Sequence, residues 1–214
     1  MTPEPWSLPD SWHWSTFADV ARVASDLVDP SAYPDVPHIA PNHIERETGR
    51  LLPYATVAED GVKSAKHRFS AGQILYSKIR PYLAKVVVVD FDGLCSADMY
   101  PVETQLDVRF LKWWMLTREF TRQAAGQQAR TVLPKINKRA LGMLPVPVPP
   151  ANEQRRIVDI LEDHLSRLDA AEAGLKLALA RTQQLRRSLL AAAFSGRLTD
   201  RSTDMEIVDE MTGV

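Results

Sequence analysis

The sequence predicts an α+β chain: a mixed, strand-rich domain over residues 1–146 followed by one long coiled-coil α-helix over residues 153–196. Three observations carry that prediction. Short apolar runs separated by Gly, Pro and Asp fill the first part of the 214 residues, as strands and turns require. The proline-alternating stretch Pro145-Val146-Pro147-Val148-Pro149-Pro150 then breaks the pattern, because proline excludes helix interior and favours extended backbone. From Ile157 onward a seam recurs in steps of four and three residues.

In the first region Gly72 to Tyr76 and Leu83 to Asp90 are the clearest runs, and Lys85-Val86-Val87-Val88-Val89-Asp90 reads as a β-branched buried strand. Arg109 to Ala125 instead spaces Phe110, Trp113 or Trp114, Leu116 or Thr117 and Phe120 at helical intervals, with Gly126 as the stop, so one helix interrupts the strands. Trp6, Trp12 and Trp14 are expected to pack at the domain edge, with one ring of Trp113-Trp114 in the core. Residues 147–152 read as a connector, Asn152 with Glu153 as the cap and first-turn acid of the long helix, and Gly196 as its end. Residues 197–214 form an acidic tail.

The seam runs through Ile157, Leu161, His164, Leu168, Ala171, Leu175, Ala178, Thr182, Leu185, Leu189 and Ala192, and nine of these eleven positions are apolar. A spacing of 3.5 residues kept over five heptads is a coiled-coil pattern; its 36 residues span about 54 Å at ~1.5 Å each. A domain of this size is only about 30 Å across, so the helix is expected to protrude and to need a mate. His164, Thr182 and the alanines suit register and close approach rather than catalysis.

At 45% hydrophobic and 25% charged residues the chain is globular in composition. No apolar run approaches the roughly 18 residues of a membrane helix, and MTPEPWSLPD lacks the basic and apolar order of a signal peptide, so a cytoplasmic protein without a membrane partner is expected. The single cysteine, Cys95, excludes an internal disulfide and reads as a small core residue.

The net charge of -1 conceals segregation. Residues 1–60 hold ten Asp/Glu against three Lys/Arg. Residues 61–89 carry Lys63, Lys66, Arg68, Lys78, Arg80 and Lys85 with no acid, and residues 120–152 carry Arg122, Arg130, Lys135, Lys138 and Arg139, again with none. Clustered cations fit a polyanion. On charge alone, a solvated face countered by the acidic N-terminal region is the simpler account.

Enzymatic motifs are missing. None of the nine glycines builds a P-loop or a G-x-G-x-x-G turn, and no G-x-S-x-G elbow occurs. His38 and His43 lie in Pro37-His38-Ile39-Ala40-Pro41-Asn42-His43, whose prolines keep them off a helix, and the remaining histidines, His13, His67 and His164, are scattered, which argues against a metal site. No Glu-x-Lys or Asp-x-Lys follows Pro34-Asp35 as in metal-dependent nucleases, and Asp98-Met99-Tyr100-Pro101 does not match the Asn/Asp-Pro-Pro-Tyr element of amino-methyltransferases.

Four segments, taken in order, resemble the specificity subunit of type I restriction-modification systems. They are Leu8-Pro9-Asp10-Ser11-Trp12-His13-Trp14 with Phe17 to Val20; Phe69 through Gly72-Gln73-Ile74-Leu75-Tyr76-Ser77-Lys78-Ile79-Arg80-Pro81 to Lys85, then Cys95-Ser96-Ala97-Asp98; Gly126-Gln127-Gln128-Ala129-Arg130 to Asn137; and Pro147-Val148-Pro149-Pro150 with Glu153-Gln154-Arg155-Arg156-Ile157-Val158. The helix end, Leu189-Leu190-Ala191-Ala192-Ala193-Phe194-Ser195-Gly196-Arg197-Leu198, completes the likeness. Family members usually hold two target recognition domains and two long helices; this chain has one of each and resembles a half-subunit.

The resemblance implies a target recognition domain at 1–146 and a non-catalytic role. A homodimer through antiparallel helices would read a split inverted repeat in double-stranded DNA, with Ile157, Leu161, His164, Leu168, Ala171, Leu175, Ala178, Thr182, Leu185 and Leu189 at the interface. It implies no cofactor on this chain, S-adenosylmethionine being expected on partner DNA methyltransferase (modification) subunits, with a restriction/translocase subunit as a further partner. DNA contacts are expected from the acid-free segments: Lys63, Lys66, Arg68, Lys78, Arg80, Lys85, Gln127, Gln128, Arg130, Thr131, Lys135, Asn137 and Lys138. Gln127, Gln128 and Arg130 can pair with base edges, and Lys135 and Lys138 with phosphates. The alternative is a coiled-coil interaction protein that regulates a methyltransferase or nuclease without reading sequence.

Overall fold

The computed structural model describes residues 6–126 and 134–198, and the chain divides into two compact units, Met1–Asp159 and Ile160–Val214. The first unit contains β1 (His13–Thr16), α1 (Phe17–Val20), β2 (Ala21–Val23), β3 (Leu27–Val28), β4 (Pro37–Ile39), β5 (Ala55–Thr56), β6 (Lys66–Phe69), β7 (Ile74–Ser77), β8 (Val86–Val88), β9 (Gly93–Cys95), β10 (Met99–Thr104), α2 (Val108–Leu116), α3 (Arg118–Gly126), α4 (Lys138–Gly142) and β11 (Pro145–Val148). The long helix α5 (Ala151–Phe194) begins there and continues into the second unit.

The strands form three sheets, ordered β1-β11, β2-β10-β7-β8 and β3-β6-β9-β4-β5. The four-stranded sheet is a wall between two cores, and the strand period of two explains how. Ile74 and Tyr76 of β7, Val86 of β8, and Tyr100 and Val102 of β10 join Phe17, Leu111, Trp114 and Phe120 on one face. Leu75, Val87 and Met99 point the other way, to Ile39, Ile44, Phe69 and Cys95. The apolar runs predicted around Gly72–Tyr76 and Lys85–Asp90 are therefore strands with both faces covered, as their lack of alternation implies. The expected core role of Cys95 holds: it is wholly buried, and burial pushes its thiol up to about 12. Gly93 is required for close approach, since a Cβ there would lie 2.7 Å from the Phe69 ring and from the Pro37 carbonyl.

Three local expectations need correction. The single helix over Arg109–Ala125 is two helices, because Thr117 leaves helical backbone (φ −65°, ψ 151°). Its N–H and Oγ1 both donate to the Trp114 carbonyl (3.0 and 2.7 Å), and the same Oγ1 accepts from Phe120 N–H at 3.2 Å, closing α2 and opening α3. Asn152 is not the cap of the long helix, which starts one residue earlier at Ala151, with the Pro150 carbonyl accepting from Glu153 and Gln154 N–H (2.9 and 3.0 Å). The stretch around Pro147 is extended as expected, but it is a paired strand: Trp14 lies opposite Pro147 and Thr16 opposite Pro145 in the two-stranded ribbon. Prolines are tolerated there because an edge strand leaves one row of N–H positions unpaired.

In the second unit α5 runs to Phe194 and ends in a Schellman arrangement. Gly196 has φ +80°, its N–H donates to Ala193 O at 3.3 Å, and Arg197 N–H donates to Ala192 O at 3.1 Å. Seam residues Leu168 and Leu175 are 65% and 72% exposed, and His164, Ala171, Ala178, Thr182, Leu185 and Leu189 are also exposed. The pairs Asp163–Arg167 and Glu172–Lys176 lie one turn apart on the polar surface. No helix among the described residues is long and apolar enough to cross a membrane.

Candidate nucleic-acid interface

The two acid-free segments, far apart in sequence, are hydrogen-bonded side by side. Arg80 N–H donates to the Pro134 carbonyl at 2.8 Å and Ile136 N–H to the Lys78 carbonyl at 2.9 Å, with Ile79 and Lys135 in antiparallel register between them. On the opposite side Lys78 N–H donates to the Asp98 carbonyl at 3.0 Å. Ile136 anchors this seam: its side chain is wholly buried and its carbonyl accepts from Tyr100 Oη at 3.3 Å. Extended alternation then leaves Lys135 and Asn137 exposed.

After Arg80 the chain makes a 3₁₀ turn at Pro81–Leu83 flanked by two non-glycine residues with positive φ, Arg80 (47°) and Ala84 (44°). Left-handed backbone at such residues carries strain and is most common at functional sites. The turn is closed by Leu83 N–H to Arg80 O (2.9 Å) and Ala84 N–H to Pro81 O (3.0 Å), and it presents Tyr82 half exposed.

The structure brings together Lys78, Arg80, Lys135, Asn137 and Lys138. Lys78 Nζ sits 5.4 Å from the centre of the Tyr100 ring. Asn137 Oδ1 caps α4 by accepting from Ala140 N–H at 2.8 Å, which leaves Lys138 and Arg139 exposed in the first turn. Lys135 Nζ lies 3.1 Å from Asp98 Oδ1.

Lys66, Lys85 and Arg68, also nominated, have partners within the chain. Lys66 is buried, donates to Ser64 O and Oγ (2.7 and 2.8 Å), and its ammonium is pushed down in pKa by that burial. Lys85 Nζ donates to the Pro41 carbonyl at 2.6 Å, and burial, then Arg80, lowers its pKa. Arg68 pairs with Asp26 at 2.8 Å, one case where the acidic N-terminal region supplies a counter-charge. Lys63 is exposed in the loop before β6. Gln127, Gln128, Arg130 and Thr131 lie outside the described residues.

Two residues that sequence reasoning did not nominate stand within this surface. His67 is buried on β6, with Nδ1 3.3 Å from Ser25 Oγ; burial, then the nearby Lys78 and Lys138 charges, hold its pKa below the usual histidine value, against a smaller opposing effect of Asp26. Asp98 stands in the quoted Cys95–Asp98 segment, but nothing in spacing alone marked its side chain. The tryptophans pack as expected: Trp6, Trp14 and Trp114 form an aromatic cluster with centroids 5.4 to 5.9 Å apart, and Trp12 Nε1 donates to Glu153 Oε2 at 2.7 Å. Among the described residues no group of three or more His, Cys, Asp and Glu is placed to hold a metal ion.

Comparison with known proteins gives this surface its context. Residues 9–181 match the model of the type I restriction modification DNA specificity domain. The chain belongs to that family. It is 52% identical over 193 residues to the type I restriction enzyme EcoDI specificity subunit of Escherichia coli, covering 90% of this chain and 44% of that protein. It is 23% identical over 216 residues to the EcoAI specificity subunit of the same organism, covering 96% of this chain and 36% of that one. The specificity domain thus spans less than half the length of these relatives. Its fold is shared with the HsdS subunit from Thermoanaerobacter tengcongensis (TM-score 0.69, 21% identity, 89% of this chain and 50% of that one) and, more distantly, with the S subunit of the M. genitalium type I system (TM-score 0.53, 15% identity, 92% and 49%). The mixed strand-rich domain followed by one long helix is the architecture that the sequence predicted.

Proposed function

We propose that this specificity domain is the non-catalytic DNA-addressing component of a type I modification complex. The observation that carries the proposal is the joining of two acid-free segments through residues 78–80 and 134–136 into one basic surface, on a chain that belongs to a DNA specificity family. Lys78, Arg80, Lys135 and Lys138 hold phosphates, while Gln127, Gln128 and Arg130, in the segment between Gly126 and Pro134, read base edges of double-stranded DNA, with Thr131 beside them as a further contact.

The helix α5 pairs antiparallel with that of a second copy through Ile157, Leu161, Leu168, Leu175, Leu185 and Leu189, with His164, Ala171, Ala178 and Thr182 setting register. Two identical reading surfaces then address a split inverted repeat. Modification subunits bind S-adenosylmethionine and methylate the flipped adenine; a translocating restriction subunit completes a cleaving system. The exposed leucines of the seam, Leu168, Leu175, Leu185 and Leu189, support the pairing, since they recur at heptad-compatible spacing with no cover from the chain itself.

Selection from randomised duplexes by the full chain, with a modification subunit present, tests the proposal. A bipartite inverted repeat is the expected product. Recovery of no preferred sequence, with the partner bound, would instead establish an interaction protein that does not read DNA.

A further inference from the structure

Asp98 is the exception in the basic surface. Its carboxylate is 39% exposed, 3.1 Å from Lys135 Nζ, and its backbone carbonyl holds Lys78 N–H at 3.0 Å. The residue is rigidly placed: its own N–H donates to Ser96 Oγ at 3.2 Å, and the next residue, Met99, is wholly buried, opens β10 and donates its N–H to Ser96 O at 2.9 Å. A short side chain on such a base cannot swing far.

An exposed Lys–Asp pair adds little to stability. A fixed carboxylate beside Lys135 and Lys78 also opposes the phosphates that those cations attract. Beyond its pairing with Lys135, such a group gains from a bound duplex where its second oxygen faces a hydrogen-bond donor. The major groove offers one that suits a carboxylate, the N4 amino group of cytosine; adenine is better matched by the two-way amide of Asn or Gln.

We infer, on the reading of this surface as the DNA interface, that Asp98 is a base-reading residue whose carboxylate accepts a hydrogen bond from cytosine N4, with Lys135 screening it from the neighbouring phosphates. It adds to the reading set a position outside both acid-free segments.

The test is the same selection repeated with Asp98→Ala and Asp98→Asn full chains, each checked for unchanged thermal unfolding. Wild type should select cytosine at one position of each half-site. Asp98→Ala should lose that preference by on the order of tenfold at that position alone, and gain affinity for non-specific duplex at low salt. Asp98→Asn, which keeps an acceptor oxygen, should retain part of the preference. Two results overturn the assignment while sparing the wider proposal: an unchanged motif in Asp98→Ala, or a loss spread equally over all positions. A wild-type chain that selects no motif removes the DNA-reading surface itself, and Asp98 with it.

Discussion

Gln154 is the buried polar side chain that, with the Trp12–Glu153 bond, fastens the start of α5 to the recognition domain, and its replacement is a direct test of that joint. Only 4% exposed, it accepts from Asp107 N–H through Oε1 at 2.8 Å and donates from Nε2 to the Pro149 carbonyl at 2.9 Å. Asp107 in turn caps α2 by accepting from Arg109 and Phe110 N–H (2.9 and 3.2 Å). Gln154→Met keeps the bulk and removes both bonds. Each orphaned buried partner costs about 1–3 kcal/mol; with Asp107 only partly buried, the low end applies to it, and the sum is about 2–4 kcal/mol. At about 2–4 °C per kcal/mol for a chain of this size, the melting temperature should fall by roughly 4–16 °C. Gln154→Glu should be worse at neutral pH, because a carboxylate then faces the Pro149 carbonyl. Its folded form favours the protonated acid, which can donate there, so its deficit should shrink as pH falls. Thermal and urea unfolding of the three chains by circular dichroism reads both effects. A Gln154→Met chain within about 0.5 kcal/mol of wild type would refute the polar joint.

Arg130→Ala should lose about 1–3 kcal/mol at one base position, whereas Lys138→Ala should weaken all sequences alike and reduce the salt slope by about 1; equal, uniform losses in binding isotherms would erase the division between base and phosphate contacts. His67 is held neutral by burial and by Lys78 and Lys138, so its folded pKa lies below the unfolded value of 6.5. The unfolded chain therefore takes up its proton first, and stability relative to His67→Gln should fall as pH drops through 6.5, a trend that denaturation between pH 7.5 and 5.5 would expose or exclude. Leu175→Glu changes a residue that is 72% exposed in the single chain, so unfolding of the recognition domain should be unaffected while sedimentation shifts from dimer to monomer. A persistent dimer would place the contact elsewhere.

Much of the fold was legible because its signals are local. The valines of residues 86–89 and the run Ile74–Ser77 state a doubly covered strand without reference to anything distant, and the heptad of α5 repeats its own message. The break at Thr117 was not legible, because it depends on a hydroxyl that bonds Trp114 O and Phe120 N–H in competition with the backbone, and threonine occurs freely inside helices. Pro145–Val148 stated extended backbone but not its partner, since pairing with His13–Thr16 joins opposite ends of the domain. The site divides the same way. Charge segregation indicated which stretches matter, yet it could not separate Lys66, which bonds Ser64 from inside the fold, from Lys138, which stands in solvent. Asp98 is invisible to any search for clustered cations.

The placement of the candidate DNA-contacting residues gives a physical reason for a surface whose chemistry can change while the scaffold holds. Lys78 follows the last residue of β7, Asp98 precedes the first of β10, and Lys135 sits beside Ile79 in an isolated bridge rather than within a strand. Side chains inside those strands are committed by alternation to one core or the other, and truncating Tyr76, Met99 or Ile136 would open a cavity costing several kcal/mol. Positions 78, 98 and 135 make no such commitment. Their backbones are fixed by Ile136 N–H to Lys78 O and Lys78 N–H to Asp98 O, bonds that any residue but proline at 78 or 136 can supply. Changing the side chains at 78, 98 and 135 therefore opens no core cavity; the exposed Lys135–Asp98 ion pair is worth about 0–1 kcal/mol, and Lys78 besides rests over the Tyr100 ring. On the proposed reading, a scaffold built this way can exchange one recognised base for another without refolding, which is the physical requirement on a domain that supplies specificity.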